Sequence, residues 1–245
     1  MSDVLYPSLI FGITPKVVKT DEEDTLVQAS PSRVELRIAQ TQNPIWHWSL
    51  SYEQLFNDLR NPNYTVSELE TLLGFRLARR GRFDDFLFDD PEDDTVTNQG
   101  LQLVNDGAGN YYTPLQRNMG GQFFEDVTDL NAQGDAHYFP SAGTHNKIFA
   151  NGVQQSQSYP GNTGDFDLLG PGLSIPGYSF AGLYLKWHSA PTAPITGSFM
   201  FYFRVRFEDD KQDFEKFLYR LWTIGGAEAG RGGGVVKLVS ARTTA

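Results

Sequence analysis

Between residues 195 and 210 the chain reads ITGSFMFYFRVRFEDD, in which Phe199, Phe201, Phe203, Val205 and Phe207 alternate with Tyr202, Arg204, Arg206 and Glu208. Successive side chains of a strand point to opposite faces, so this segment is aromatic on one face and polar on the other. Such a strand calls for a packed layer beneath it and water or a polar partner above it. The chain around it is therefore expected to be mainly β. The composition agrees: 18 Phe, 11 Tyr and 4 Trp favour strands, and 24 Gly with 13 Pro supply many turns. At 245 residues the chain can form one large β domain, or one domain with a sizeable insertion, and bury a core without staples.

Other segments give weaker signals of the same kind. RVELRIAQT (33–41) sets Val34, Leu36 and Ile38 against Arg33, Glu35 and Arg37, and IWHWSLSY sets Trp46, Trp48, Leu50 and Tyr52 on one face after TQNP. The two are predicted to pair as a hairpin. Ser51 with Gln54 forms a capping-box pattern that predicts a helix over about residues 52–60. Thr65 with Glu68 repeats it, and Val66, Leu69, Leu72, Leu73 and Leu77 predict a second helix over 66–79 that ends at Gly81. In DFEKFLYRLW, the residues Phe214, Phe217, Leu218, Leu221 and Trp222 recur at helical spacing and predict a third helix over about 211–223. VVKLV (235–239) reads as a closing strand. The core is assigned to 1–104 and 197–245, and the Gly-, Asn-, Ser- and Pro-rich stretch 105–196 to an insertion of short strands and loops.

The search for chemistry narrows quickly. With no cysteine there is no disulfide, thiolate nucleophile or sulfur-ligated zinc. MSDVLYPSLIFGITPK lacks a basic stretch before a long apolar run, and no run of about 18 apolar residues occurs, so neither a standard secretion signal nor a membrane span is expected. A net charge of −10 argues against wrapping nucleic acid, though not against DNA passing by. The acidic run Asp84, Asp85, Asp89, Asp90, Glu92, Asp93 and Asp94 lacks EF-hand spacing and reads as a strand over 83–88 leading into an acidic turn at Pro91. His47, His137, His145 and His188 stand in no metal or catalytic spacing, and GGAEAGRGGG lacks the ending of a phosphate loop. Asn63 heads a formal glycosylation sequon that reads as a helix cap. No catalytic, cofactor-binding or metal-binding residue is predicted.

The order of certain pieces is nevertheless distinctive. Glu35, Arg37, Trp48, Leu50 and Tyr52 precede a helix that ends in Phe75 and ARRGR (78–82), followed by Phe86, Phe88 and Asp90. PLQR (114–117), GGQFFEDVTD (120–129), NGV (151–153), FYFRVRFEDD (201–210) and VVKLVS come after. Over most of its length, apart from a longer and more irregular stretch at 130–196, the chain resembles the distal tail proteins of phages and gene-transfer agents. The resemblance implies a tail-tube-like β-sandwich with flanking helices, six copies of which form a ring and close a shared β-barrel. Such a ring lies at the tail tip of a virion assembled in a bacterial cytoplasm. It joins the tail tube protein to the hub or baseplate protein, with the tape-measure protein as a further candidate partner, and DNA crosses its lumen only in transit.

On this reading the charged residues Arg79, Arg80, Arg82, Asp84, Asp85, Asp89, Asp90, Arg204 and Arg206 are candidate contacts between subunits or rings. The plainer alternative is a solvated turn. A different function, glycan binding at the tail tip, would use Tyr138, Tyr159, Tyr178 and Trp187 as stacking platforms, although aromatics in short strands are more often core. A tail-associated hydrolase is a third class, for which no carboxylate pair stands out.

Overall fold

The computed structural model describes residues 3–7, 16–29, 35–40, 43–52, 55–56, 67–132, 138–140, 145–159, 163–170, 172, 174–175, 178–179, 181–218, 221–225 and 234–241. The order begins β1 (Lys16–Glu22), β2 (Thr25–Ala29), β3 (Glu35–Ala39), β4 (Ile45–Tyr52), β5 (Leu55–Phe56), α1 (Glu68–Arg79) and β6 (Phe86–Phe88). It continues with β7 (Thr95–Leu101), β8 (Val104–Asn105), β9 (Tyr111–Pro114), β10 (Gln116–Met119), β11 (Phe123–Asp126) and β12 (Asp129–Asn131). Then come β13 (Lys147–Ala150), β14 (Val153–Gln155), β15 (Phe166–Leu169), β16 (Ser174–Ile175), β17 (Tyr178–Ser179) and β18 (Tyr184–Trp187). β19 (Ile195–Phe207), β20 (Asp213–Leu218), β21 (Leu221–Gly225) and β22 (Gly234–Ser240) close the chain. The fold is mainly β, with one helix among the described residues, as the alternation and the aromatic content predict.

Chain contacts divide it into two compact units, Met1–Leu87 with Arg204–Arg242 and Phe88–Phe203 with Thr243–Ala245. Residues 88–104 and 197–203, expected in the core, thus fall with the middle of the chain. The reason is strand pairing: β7 runs antiparallel to β19 from Ile195↔Leu101 to Met200↔Thr95.

In the first unit β1, β4, β22 and the end of β19 form one antiparallel sheet. Trp48 faces Lys19 on one side and Leu238 on the other, and Phe207 pairs with Leu238. Beneath it sits an aromatic cluster in which the rings of Phe75 and Phe207 each lie 5.0 Å from Phe86, and Tyr6 lies 5.5 Å from Phe75. The Tyr6 and Tyr52 hydroxyls are bonded at 2.9 Å within this core. Burial pushes the Tyr52 phenol up to about 12, because an ionised oxygen would have to be desolvated.

β3 pairs with β2, from Thr25↔Ala39 to Ala29↔Glu35, and not with β4 as the sequence suggests. Both edges of β4 are already taken, by β1 and β22. Alternation reveals which face a residue occupies but not which strand lies beside it.

Two expected helices are replaced by strands. Over 52–60, Leu55 and Phe56 form β5, and the remainder beyond Tyr52 lies outside the described residues. Over 211–223, β20 and β21 form a hairpin in the register Phe214↔Ile224 and Lys216↔Trp222, and β21 also pairs with β5. A stretch holding Phe214, Phe217, Tyr219, Trp222, Thr223 and Ile224 suits a sheet, and its long-range partner overrides the local helical spacing. The helix expected over 66–79 is present as α1. Ser67 caps it, accepting from the Glu70 amide at 3.3 Å, while Thr65 lies outside the described residues.

In the second unit β13 and then β12 line one edge of β19, and β7 lines the other. Along β19 the odd-numbered residues are buried and the even-numbered ones half-buried. At Gly197 a Cβ would come 2.8 Å from Leu101 Cδ1 and 3.1 Å from Ile148 Cδ1, so a larger residue there requires the ends of these side chains to shift. A second sheet, β15-β18-β9-β8, packs Phe166 against Trp187, with ring centres 5.3 Å apart.

Candidate functional site

The charged stretch 78–94 takes its shape from the end of α1. Acidic Glu68 and Glu70 stand in the first turn and basic Arg76 and Arg79 in the last, each favoured by the helix dipole. The helix stops because Arg80 turns left-handed (φ 54°), and the Arg80 and Gly81 amides then bond to the Leu77 and Arg76 carbonyls at 3.2 and 3.4 Å. Gly81 also has positive φ, and any Cβ there would meet Asp210 Oδ1 at 2.9 Å. That same oxygen accepts from the Arg82 amide at 3.0 Å. The turn is thus tied to the chain that leaves β19.

The candidate residues separate by role. Arg79 pairs with Asp84 within the chain at 2.7 Å. Arg80 and Arg82 are exposed, and the Arg80 guanidinium lies 5.9 Å from the centre of the Phe83 ring. Phe83 itself is 79% exposed and Leu77, in the last turn of α1, 68%. Asp85 and Asp3 hold Arg204, at 3.6 and 3.0 Å, so this cation on the polar face of β19 is engaged inside its own unit. Half-buried Arg206 reaches the Phe207 carbonyl at 3.4 Å.

Arg76 carries a role the sequence did not reveal. It is buried, lies 4.7 Å over the Phe207 ring and donates to the Asp209 carbonyl. Burial lowers its affinity for the proton, and the nearby charges of Asp209 and Asp210 oppose that shift.

In the second unit, buried Asp90 accepts from the Glu92 amide at 3.3 Å, which builds an Asx turn around Pro91. Asp89 is exposed, and its carboxyl is raised first by desolvation and then by the charges of Asp94 and Asp90. Among the described residues no group of His, Cys, Asp and Glu is arranged to hold a metal ion.

Arg117, in PLQR, is the main charged centre of this unit that sequence reasoning missed. It is buried, pairs with Asp93 and, at 2.5 Å, with Glu125, and lies 4.9 Å over the Phe203 ring. Its partners stand 24 and 8 residues away, so no local pattern marks it.

The histidines occupy separate places. His47 Nε2 lies 2.8 Å from Glu22, and His145 is exposed. His137 lies outside the described residues. His188 faces an acceptor at each nitrogen, the Gly164 carbonyl at Nδ1 and Asp167 at Nε2, both at 3.0 Å. Bonding to Asp167 is the main reason its pKa is raised, because both N–H groups of the imidazolium find partners.

The four aromatics of the glycan alternative are placed differently from one another. Trp187 is buried and donates to the Thr113 hydroxyl at 2.9 Å, while Tyr159 is half-buried. Tyr138 and Tyr178 are exposed, and the Tyr178 hydroxyl accepts from Gln102. A groove of about 500 Å³ runs beside Gln99, Gln102, Gln116 and Phe124. Gln99 and Gln116 already bond to the Gln116 carbonyl and to Asp126, which makes them braces of the groove wall.

One further surface stands out in the first unit. Every residue of β2 and β3 is exposed, including Leu26, Val27, Leu36 and Ile38, and neither strand pairs with any other described strand. Set against protein-family models and curated proteins, the chain gives no significant match.

Proposed function

We propose that this chain is a structural virion protein, a distal tail protein whose copies, six to a ring, join the tail tube to the tail-tip hub or baseplate. The sequence motifs that resemble that family suggest the role. The observation that carries it is the β2–β3 hairpin. A two-stranded hairpin alone in water is marginal, and this one exposes four large aliphatic side chains along with two strand edges that no described strand covers. Such a surface belongs to a subunit that is covered by a neighbour. Closing the sheet between copies removes the edges, and a net charge of −10 per copy makes the ring acidic as a whole, which disfavours DNA sticking to it in transit.

Glycan binding finds less support, since Trp187 is committed to the core and only Tyr138 and Tyr178 of the four remain exposed. Electron microscopy of the purified chain, and of a particle containing it, tests the assembly reading. Six-fold rings are expected. A chain that stays monomeric by light scattering at high concentration, with no ring in the particle, overturns it.

A further inference from the structure

Two exposed apolar surfaces of the first unit carry opposite charge. On the hairpin, cross-strand partners share a face, so the Leu26↔Ile38 and Gln28↔Leu36 pairs place Leu26, Leu36 and Ile38 together. The root of this hairpin is acidic and exposed throughout, from Asp21 to Asp24. Glu22 there is engaged by His47, and Glu23 and Asp24 are the two carboxylates that directly precede β2. The other surface is the knob at the end of α1, where the exposed apolar residues Leu77 and Phe83 accompany the exposed cations Arg80 and Arg82. Successive backbone bonds, Arg80 to Leu77 at 3.2 Å and Phe83 to Arg80 at 3.3 Å, hold this knob in a fixed shape. Both surfaces are open in the single chain, so neither covers the other within it.

We propose that the hairpin of one copy docks on the α1 knob of the next copy, head to tail. The inference rests on the ring reading and gives that ring its contact. Complementarity selects the occupant: apolar side chains meet apolar side chains, and Glu23 and Asp24 meet Arg80 and Arg82. It also selects the geometry. A self-matched contact would set carboxylates against carboxylates, or arginines against arginines, which costs free energy, whereas hairpin on knob pairs unlike charges. A contact between two different patches repeats from copy to copy, and it closes when the rotation permits a ring.

The test uses two full-length variants, each blocked on one side: Leu36→Asp on the hairpin and Phe83→Asp on the knob. Both residues are exposed, so thermal unfolding of each variant should match the unmodified chain. Each variant alone is expected to lose rings and sediment as monomer. Mixed, they retain one intact hairpin and one intact knob, and should stop at a species of about twice the monomer mass. If the unmodified chain forms rings while the mixture stays monomeric, or if either variant forms rings normally, this contact is wrong and the ring reading stands. If the unmodified chain forms no ring, either alone or in a particle containing it, the reading beneath it fails as well. A charge swap checks the pairing independently: Arg80→Glu with Arg82→Glu should weaken assembly at least tenfold, and adding Glu23→Lys with Asp24→Lys should restore it. No recovery in the combined variant overturns the charge complementarity.

Discussion

At the scale of single residues, buried Arg76 and Arg117 each cover an aromatic ring of β19 within their own unit. Arg117 joins Asp93 and Glu125 across the second unit while its flat guanidinium covers the Phe203 ring. A planar fork can satisfy two carboxylates and stack at once, which a lysine ammonium cannot. Arg117→Met keeps much of the volume but leaves two carboxylates facing each other without a cation, and should cost about 3 to 5 kcal/mol in chemical denaturation. Adding Asp93→Asn and Glu125→Gln should return most of that loss, because the burden lies in the orphaned charges. A loss of less than about 1 kcal/mol in the single variant would mean that water reaches the site and carries the carboxylates.

At the scale of elements, β19 ties sequence to packing most directly. Its alternation survives along 13 residues, with Phe207 fully buried against Phe86 and Phe75, and Arg206 half-buried on the other face. Phe207→Ala should therefore cost about 3 to 5 kcal/mol, and Arg206→Ala about 0.5 kcal/mol. Equal losses from both, measured by urea unfolding, would deny that the two faces differ. Elements whose signal is local were legible in the same way: β19, α1 with its basic last turn, β22 and the acidic turn at Pro91. Those defined by a distant partner were not. DFEKFLYRLW has helical spacing of its apolar residues, yet β5 lies more than 150 residues earlier and supplies the edge that makes it a sheet. Likewise β3 shows its faces but hides its partner β2, and Arg117 looks like any other arginine until Asp93 and Glu125 are folded around it. The charged stretch was legible as a helix end, while its division into an internal pair, Arg79 with Asp84, and an exposed knob, Arg80 to Phe83, needed three dimensions.

At the scale of the whole molecule, two electrostatic effects would oppose each other in the proposed assembly. Each copy carries a net −10, so a proposed ring would repel each added copy over tens of ångströms. The proposed contact instead attracts through Arg80 and Arg82 against Glu23 and Asp24 at close range. Salt separates them, because the screening length is about 30 Å at 0.01 M, about 10 Å at 0.1 M and about 3 Å at 1 M. Chloride at about 0.1 M should thus quench most of the long-range repulsion while leaving close pairs partly intact, and about 1 M should weaken those pairs too. The assembled fraction of the unmodified chain, followed by light scattering, is expected to rise from low salt to a maximum near 0.1 to 0.2 M and then to fall. A steady rise to 1 M would leave Leu26, Leu36, Ile38, Leu77 and Phe83 as the whole of the attraction and remove the charge pairs from the contact. A steady fall from the lowest salt would show that close pairing outweighs the net charge at every range. The variant with both arginines changed to glutamate separates these cases: without the pairs, only repulsion and apolar burial remain, and its assembly should increase monotonically with salt.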